Sequence, residues 1–261
     1  MTWPFKKKGT PEEPSFIGQA LDHFNAGSVD VAEEIADRHV RAASQDLARS
    51  DEMAITTLSF SVMAHPDRAE FFPYLRRRLN IRPESFAVDH DRKGAWETCK
   101  AAWRLSDPMA DWHCVVQDDA IVCDDFRARA IAAIVDARAV LGGRDDYALS
   151  FYYGDRRYER IEAGEALKRG FRISPSLSWG LAVCLRTKDV EEMIAYGDTR
   201  TKIGTKDDAR ISAFLQHKGV PVYLPMPSLV EHREGKSLVG DPGEHRRAFA
   251  YIDRDKNDSR T

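Results

Sequence analysis

The chain has 261 residues, 43% of them apolar and 31% charged, with a formal net charge of −3. That length and balance exclude a disordered polypeptide and allow one large α/β domain or two smaller ones. No apolar run approaches the roughly 18–20 residues that span a membrane, and the slight acidic excess argues against strong non-specific binding to nucleic acid.

Residues 1–14 carry Lys6-Lys7-Lys8 and three prolines and read as a loose arm. Their charges follow the aromatics and no apolar core comes after them, so a secretory signal is not expected. From Ser15 to about Arg49 the apolar spacing is helical (Phe16, Ala20, Leu21, Phe24, then Val31, Ile35, Val40), with a break near Gly27-Ser28. From Ala54 the pattern changes to strands alternating with helices. A first strand is predicted over 55–63, closed by His65-Pro66-Asp67-Arg68 and followed by a helix with Phe71, Phe72, Leu75 and Leu79. A short strand over 86–89, a helix over 94–105, a strand over 112–117 and a helix over 126–141 come next. A strand over 147–152 and a strand-rich region over 171–185 follow. Helices near 190–196 and over 207–218, then short apolar segments over 220–224 and 228–230, complete the order. Such alternation predicts parallel pairing with right-handed crossovers. The division expected is a helical extension over 1–50, a catalytic domain over 51–240 and a tail over 241–261. Cys99, Cys114, Cys123 and Cys184 form no CxxC pair and fall in apolar segments, as reduced core cysteines of a cytoplasmic protein do. Nothing in the pattern specifies an oligomeric state.

The most informative stretch is Val115-Val116-Gln117-Asp118-Asp119-Ala120, an apolar run that stops at two adjacent carboxylates. A buried strand ending this way sets oxygen ligands at a sheet's carboxyl edge, where open α/β sheets keep their ligand sites. Hard divalent cations favour such oxygens and commonly hold a phosphate as well. An activated phosphate compound, most simply a nucleotide sugar, is therefore the expected substrate. A strand ending in His-Pro-Asp-Arg, a second ending at Asp89, the Gln117-Asp118-Asp119 motif, the Ser178-Trp179-Gly180 turn, the Asp207-Asp208 helix start and a late Pro-Ser-Leu-Val-Glu-His occur in order. Together they resemble glycosyltransferases of the GT-A fold over roughly 56–240, in particular small members found in bacteriophages, some of which are thought to glycosylate modified DNA bases. The fold implied is α/β, a Rossmann-type mixed, mostly parallel sheet flanked by helices.

The resemblance implies roles for these residues. Asp119 and His232 would hold Mn²⁺ or Mg²⁺, and Asp118 would touch the ribose or a metal-bound water. Gln117 stands where many relatives carry Asp or Glu, which weakens an outer metal or ribose contact. His65, Pro66, Asp67 and Arg68 would lie against the nucleobase and diphosphate, with Arg68 able to pair with phosphate. Asp89 would accept from uracil or ribose, and Arg92, Lys93 and Trp96 would supply charge and a flat face near the donor. Asp208 or Asp207 would serve as general base toward an acceptor hydroxyl, which predicts inversion at the sugar carbon. The competing reading of that pair is a helix cap by Asp207. Ser176, Ser178, Trp179 and Gly180 would line the acceptor side. Arg156-Arg157 among Tyr152, Tyr153 and Tyr158, with Arg233, Lys236, Arg246 and Arg247, leave a hydroxymethylated DNA base open as acceptor. A nucleotidyltransferase and a non-catalytic binding module on the same scaffold are the other readings. The first would carry a Gly-rich phosphate loop, and none follows the first strand.

Overall fold

A computed structural model describes residues 44–154, 160–202, 204–233 and 247–253. The chain divides into two compact units, Met1–Ala54 and Ile55–Thr261. In the first unit the described residues, from 44 onward, are helical; the arm and the helices expected over 15–43 lie outside the described residues. That helix runs on to residue 55, where a strand was expected, and Ile55 is exposed. The strand starts only where burial does. Thr57 donates its amide and its hydroxyl to Asp111 Oδ2 (3.1 and 2.8 Å), which brings Leu58 opposite Trp112.

The second unit is a mixed α/β fold. Its strands are β1 (Leu58–Ala64), β2 (Phe86–Val88), β3 (Trp112–Gln117), β4 (Ala120–Val122), β5 (Ala148–Ser150), β6 (Phe171–Ser174), β7 (Ala182–Arg186), β8 (Val222–Pro225) and β9 (Val230–His232). Its helices are α1 (Phe72–Leu79), α2 (Ala95–Trp103), α3 (Phe126–Val140), α4 (Arg160–Arg169), α5 (Val190–Arg200) and α6 (Asp207–Lys218). Seven strands form one sheet in the order β2-β1-β3-β7-β5-β8-β6, and β4 pairs with β9. The pairs β1–β2, β1–β3 and β5–β8 are parallel, whereas β3–β7, β5–β7 and β6–β8 are antiparallel. The antiparallel share exceeds what simple alternation implies, because β6 and β7 run opposite to the other five strands. The two elements that the sequence pattern did not reveal are β4, three residues long, and α4.

Both faces of the sheet are covered. On one, Leu58, Phe60, Val62 and Ala64 of β1 and Trp112, Cys114 and Val116 of β3 pack with Leu75 and Leu79 of α1 and Phe126, Ala130 and Ile134 of α3. On the other, Val115 and Val183 meet Cys99 and Trp103 of α2, Met193 and Ile194 of α5 and Ile211 and Phe214 of α6. The period-2 alternation of β1 turns Ser59 and Ser61 away from the first layer, and there they clasp the fully buried His113. Ser61 donates to the Ala102 carbonyl (2.8 Å) and so accepts from His113 Nε2 (2.9 Å), leaving Nδ1 to accept from Ser59 (2.8 Å). Burial holds the imidazole neutral and pushes its pKa down to about 4. All four cysteines are buried and free. Among the described residues no helix is long and apolar enough to cross a membrane.

Candidate active site at the carboxyl edge of the sheet

The chain leaves β1 to form β2 on one side and returns to form β3 on the other, so the strand order reverses at β1. In open α/β sheets the crevice beyond such a reversal is where ligands bind. His65 follows directly on β1 and Asp118 on β3, side by side. The His65 amide donates to Asp118 Oδ2 (2.6 Å), while Arg68 Nη1 donates to Asp118 Oδ1 and to Asp119 Oδ2, each at 2.7 Å. Both carboxylates are buried, Asp118 at 4% and Asp119 at 6% exposure. Burial lifts the Asp118 pKa above the ordinary value, and the bonds from Arg68 and His65 only partly offset it. Burial also pushes Asp119 up, but there His232 and Arg68 win and its carboxyl lies below the usual range.

His232 arrives through the β4–β9 pair, which sets it opposite Ala120, while the Arg233 amide donates to the Asp119 carbonyl (2.8 Å). Its Nδ1 lies 2.7 Å from the Arg233 carbonyl, which can only accept, so Nδ1 carries a hydrogen. Its Nε2 lies 3.3 Å from Asp119 Oδ2. In the neutral tautomer these two acceptors face each other, a geometry satisfied by a proton on Nε2 or by a cation shared between them. Asp119 Oδ1, moreover, is buried without a hydrogen-bond partner among the described residues. These atoms fit a divalent cation. No group of three or more His, Cys, Asp or Glu among the described residues is placed to hold one, so ligands beyond this pair would come from elsewhere. That suits a metal bound through one or two protein groups together with substrate phosphates. Glu231 accepts from the amides of His232 (2.9 Å) and Ala248 (2.7 Å) and ties this strand to 247–253. Arg233 stacks over Phe71 (4.2 Å) and Tyr74 (5.3 Å).

A second group gathers on the β7 side. Because β7 runs antiparallel to β3, the Gln117 amide bonds the Leu181 carbonyl (2.9 Å) and Gly180 lies beside Gln117. A β-carbon added at Gly180 would lie 3.1 Å from Asp208 Cβ, 3.3 Å from Gln117 Nε2 and 3.9 Å from Asp207 Oδ2. Lys206, not Asp207, stands at the cap of α6; Asp207 is its first residue, and Asp208 Oδ1 accepts from the Ala209 amide (2.7 Å). Burial, followed by the charge of Asp208, raises the Asp207 pKa. Gly180→Ala is expected to push Asp208 and Gln117 aside by a few tenths of an ångström, with a stability loss of at most about 1 kcal/mol that a thermal melt measures.

The other sequence-predicted residues occupy definite places. Asp89 closes the loop after β2 by accepting from the Lys93 (2.7 Å) and Gly94 (2.9 Å) amides, a turn completed by Gly94 at φ 98°. Arg92 and Lys93 are exposed, and Arg92 lies 3.6 Å from Asp67, which with Pro66 belongs to the turn after β1. Trp96 donates its indole N–H to Asp198 (2.8 Å) and lies so close to Gly197 that an added β-carbon there would come within 2.5 Å of the ring; it fastens α2 to α5. Trp179 is half-buried, edge-on to Tyr152 (5.7 Å) and against Gly154, next to exposed Ser178; Ser176 is half-buried. The aromatic part of the basic cluster differs from expectation. Tyr152 (1%) and Tyr153 (3%) are core, buried just past the end of β5 against Trp179 and Phe249, and they are not free to stack on bases. Arg156, Arg157, Tyr158, Lys236 and Arg246 lie outside the described residues.

Fold and site thus define a mixed α/β protein whose switch point carries a carboxylate–guanidinium–imidazole cluster, flanked by a second carboxylate pair. No family model and no curated protein matches the chain. Among solved structures, the chain is similar to a Drosophila β1,4-galactosyltransferase 7 mutant in complex with manganese, UDP-Gal and xylobiose. The identity is 10%, covering 79% of this chain and 80% of that one, with a TM-score of 0.40.

Proposed function

We propose that the protein is a metal-dependent, GT-A-like glycosyltransferase that moves a sugar from a nucleotide donor, a uridine diphosphate sugar, to an acceptor hydroxyl. One observation carries the reading: a single switch point has Asp118, Asp119 and His232 on one side and Asp207 and Asp208, beside Gln117 and Gly180, on the other. Asp119 and His232 would hold Mn²⁺ or Mg²⁺, which when bound neutralises charge on the departing diphosphate. The chain's own residues do the rest. The turn from His65 to Arg68 receives the donor, Arg68 offers its guanidinium to phosphate, and the Asp89-closed loop with Arg92 and Lys93 borders the same edge. Asp208 or Asp207 takes the proton from the acceptor hydroxyl as its oxygen attacks the anomeric carbon; the bond to the nucleoside diphosphate breaks and the configuration inverts. The raised pKa of Asp207 suits a base of this kind. Gly180 and Trp179 border the acceptor side.

The test is release of uridine diphosphate from a UDP-sugar with Mn²⁺, with hydroxymethylated duplex DNA and a free saccharide as alternative acceptors. Asp208→Asn or Asp207→Asn should reduce turnover by about 10²–10⁴ while nucleotide binding persists. A product whose anomeric NMR signals show retained configuration removes the base from the account.

A further inference from the structure

Arg68 occupies the middle of the cluster. One guanidinium nitrogen lies 2.7 Å from Asp118 Oδ1 and 2.7 Å from Asp119 Oδ2, and the second of these oxygens is the one facing His232 Nε2. Both Asp118 oxygens already accept a hydrogen bond, Oδ2 from the His65 amide and Oδ1 from Arg68. Asp119 still has Oδ1, which is buried and without a partner. A divalent ion that took Asp119 and His232 would therefore sit against a fixed positive charge already bonded to the same carboxylate. Two cations so close repel strongly in a site shielded from water. Releasing Arg68 alone does not help, because it would give up two charge-assisted bonds for nothing. A guanidinium leaves such a place readily only when another anion of matching geometry receives it, and the paired oxygens of a diphosphate do so.

We propose that Arg68 is the site's built-in counter-cation, and that it makes divalent-cation binding conditional on a diphosphate-bearing ligand. The inference rests on the reading of the site given above and deepens it. Metal and nucleotide bind as a cooperative pair, with Arg68 passing from the carboxylates to the phosphates as the ion enters. By linkage the nucleotide strengthens the metal as much as the metal strengthens the nucleotide. Arg68 is in these terms a positioning residue in the free protein and a phosphate ligand in the complex.

Mn²⁺ titration, followed by the electron paramagnetic resonance of the free ion, tests this with wild type, Arg68→Gln and Arg68→Lys, each with and without uridine diphosphate. Wild type should bind Mn²⁺ alone weakly and at least about tenfold more tightly with the nucleotide, after correction for Mn²⁺ held by free nucleotide. Arg68→Gln should bind Mn²⁺ alone at least about tenfold more tightly than wild type and lose most of the nucleotide dependence, with Arg68→Lys retaining it in part. The wild-type arm needs no substitution, so a variant that fails to fold leaves the coupling measurable. Mn²⁺ binding that is tight without nucleotide in wild type, or unchanged in a folded Arg68→Gln, overturns the counter-cation and leaves the metal site standing. Absence of Mn²⁺ binding in every arm overturns both.

Discussion

Asp119→Asn should reduce glycosyl transfer by about 10³-fold or more, equivalent to about 4 kcal/mol of transition-state stabilisation. The side chain keeps its shape, so the loss reports charge. Among the described residues Asp119 is the one whose oxygens meet both Arg68 and His232, and its Oδ1 is buried there without a partner. An amide there offers a neutral oxygen to a cation and a donor to one that already carries its own. Arg68 keeps Asp118, so the turn after β1 stays anchored and the melting temperature should fall far less than the activity. Initial rates at saturating donor, with a thermal melt of the same sample, measure both. A variant within tenfold of wild type would take Asp119 out of the chemistry.

Stability should fall by about 3 kcal/mol between pH 6.5 and pH 4 on account of His113 alone. In the folded protein burial holds its pKa at about 4, against an ordinary 6.5. Below 6.5 the unfolded chain takes up a proton that the folded chain refuses, so unfolding gains as pH drops. Above 6.5 both states are neutral and the term vanishes. The cause is burial: His113 lies out of water between β1 and α2, where Ser61 accepts from Nε2 and Ser59 donates to Nδ1 in the neutral ring, and a charged imidazolium there would lose its hydration. Urea unfolding from pH 7.5 to 4.5 gives the slope. The difference from His113→Gln isolates this residue from the carboxylates titrating at the lower end, and a slope unaltered in that variant would contradict the assignment.

Local pattern was enough for elements that are either uniformly buried or strongly bounded. β3 starts and ends where its apolar run does, and α6 begins at the Asp207-Asp208 pair and stops at Gly219 in a left-handed conformation. β4 escaped because three residues carry no period, and what makes them a strand is β9, far along the chain. Pairing direction escaped for the same kind of reason, since it is decided by how β7 enters beside β3 and not by either strand's composition. The carboxylates at the end of β3 were legible as a strand stop. Their bridging by Arg68, fifty positions earlier, depends on β1 and β3 being parallel neighbours with ends in register. Trp96 illustrates the limit of side-chain type: an indole at a helix start suits a ligand face, yet its N–H and ring are engaged by Asp198 and Gly197, about a hundred positions away. Asp207 illustrates the converse, for its neighbour Lys206 holds the cap position and the carboxylate stays beside Gly180.

Calorimetric titration of wild type and Asp119→Ala with uridine diphosphate, each with and without Mn²⁺, tests the donor site most directly. Heat of binding should require both the metal and Asp119. Binding that is equal in all four conditions, or missing from all of them, would contradict a metal-dependent uridine diphosphate site at this edge of the sheet.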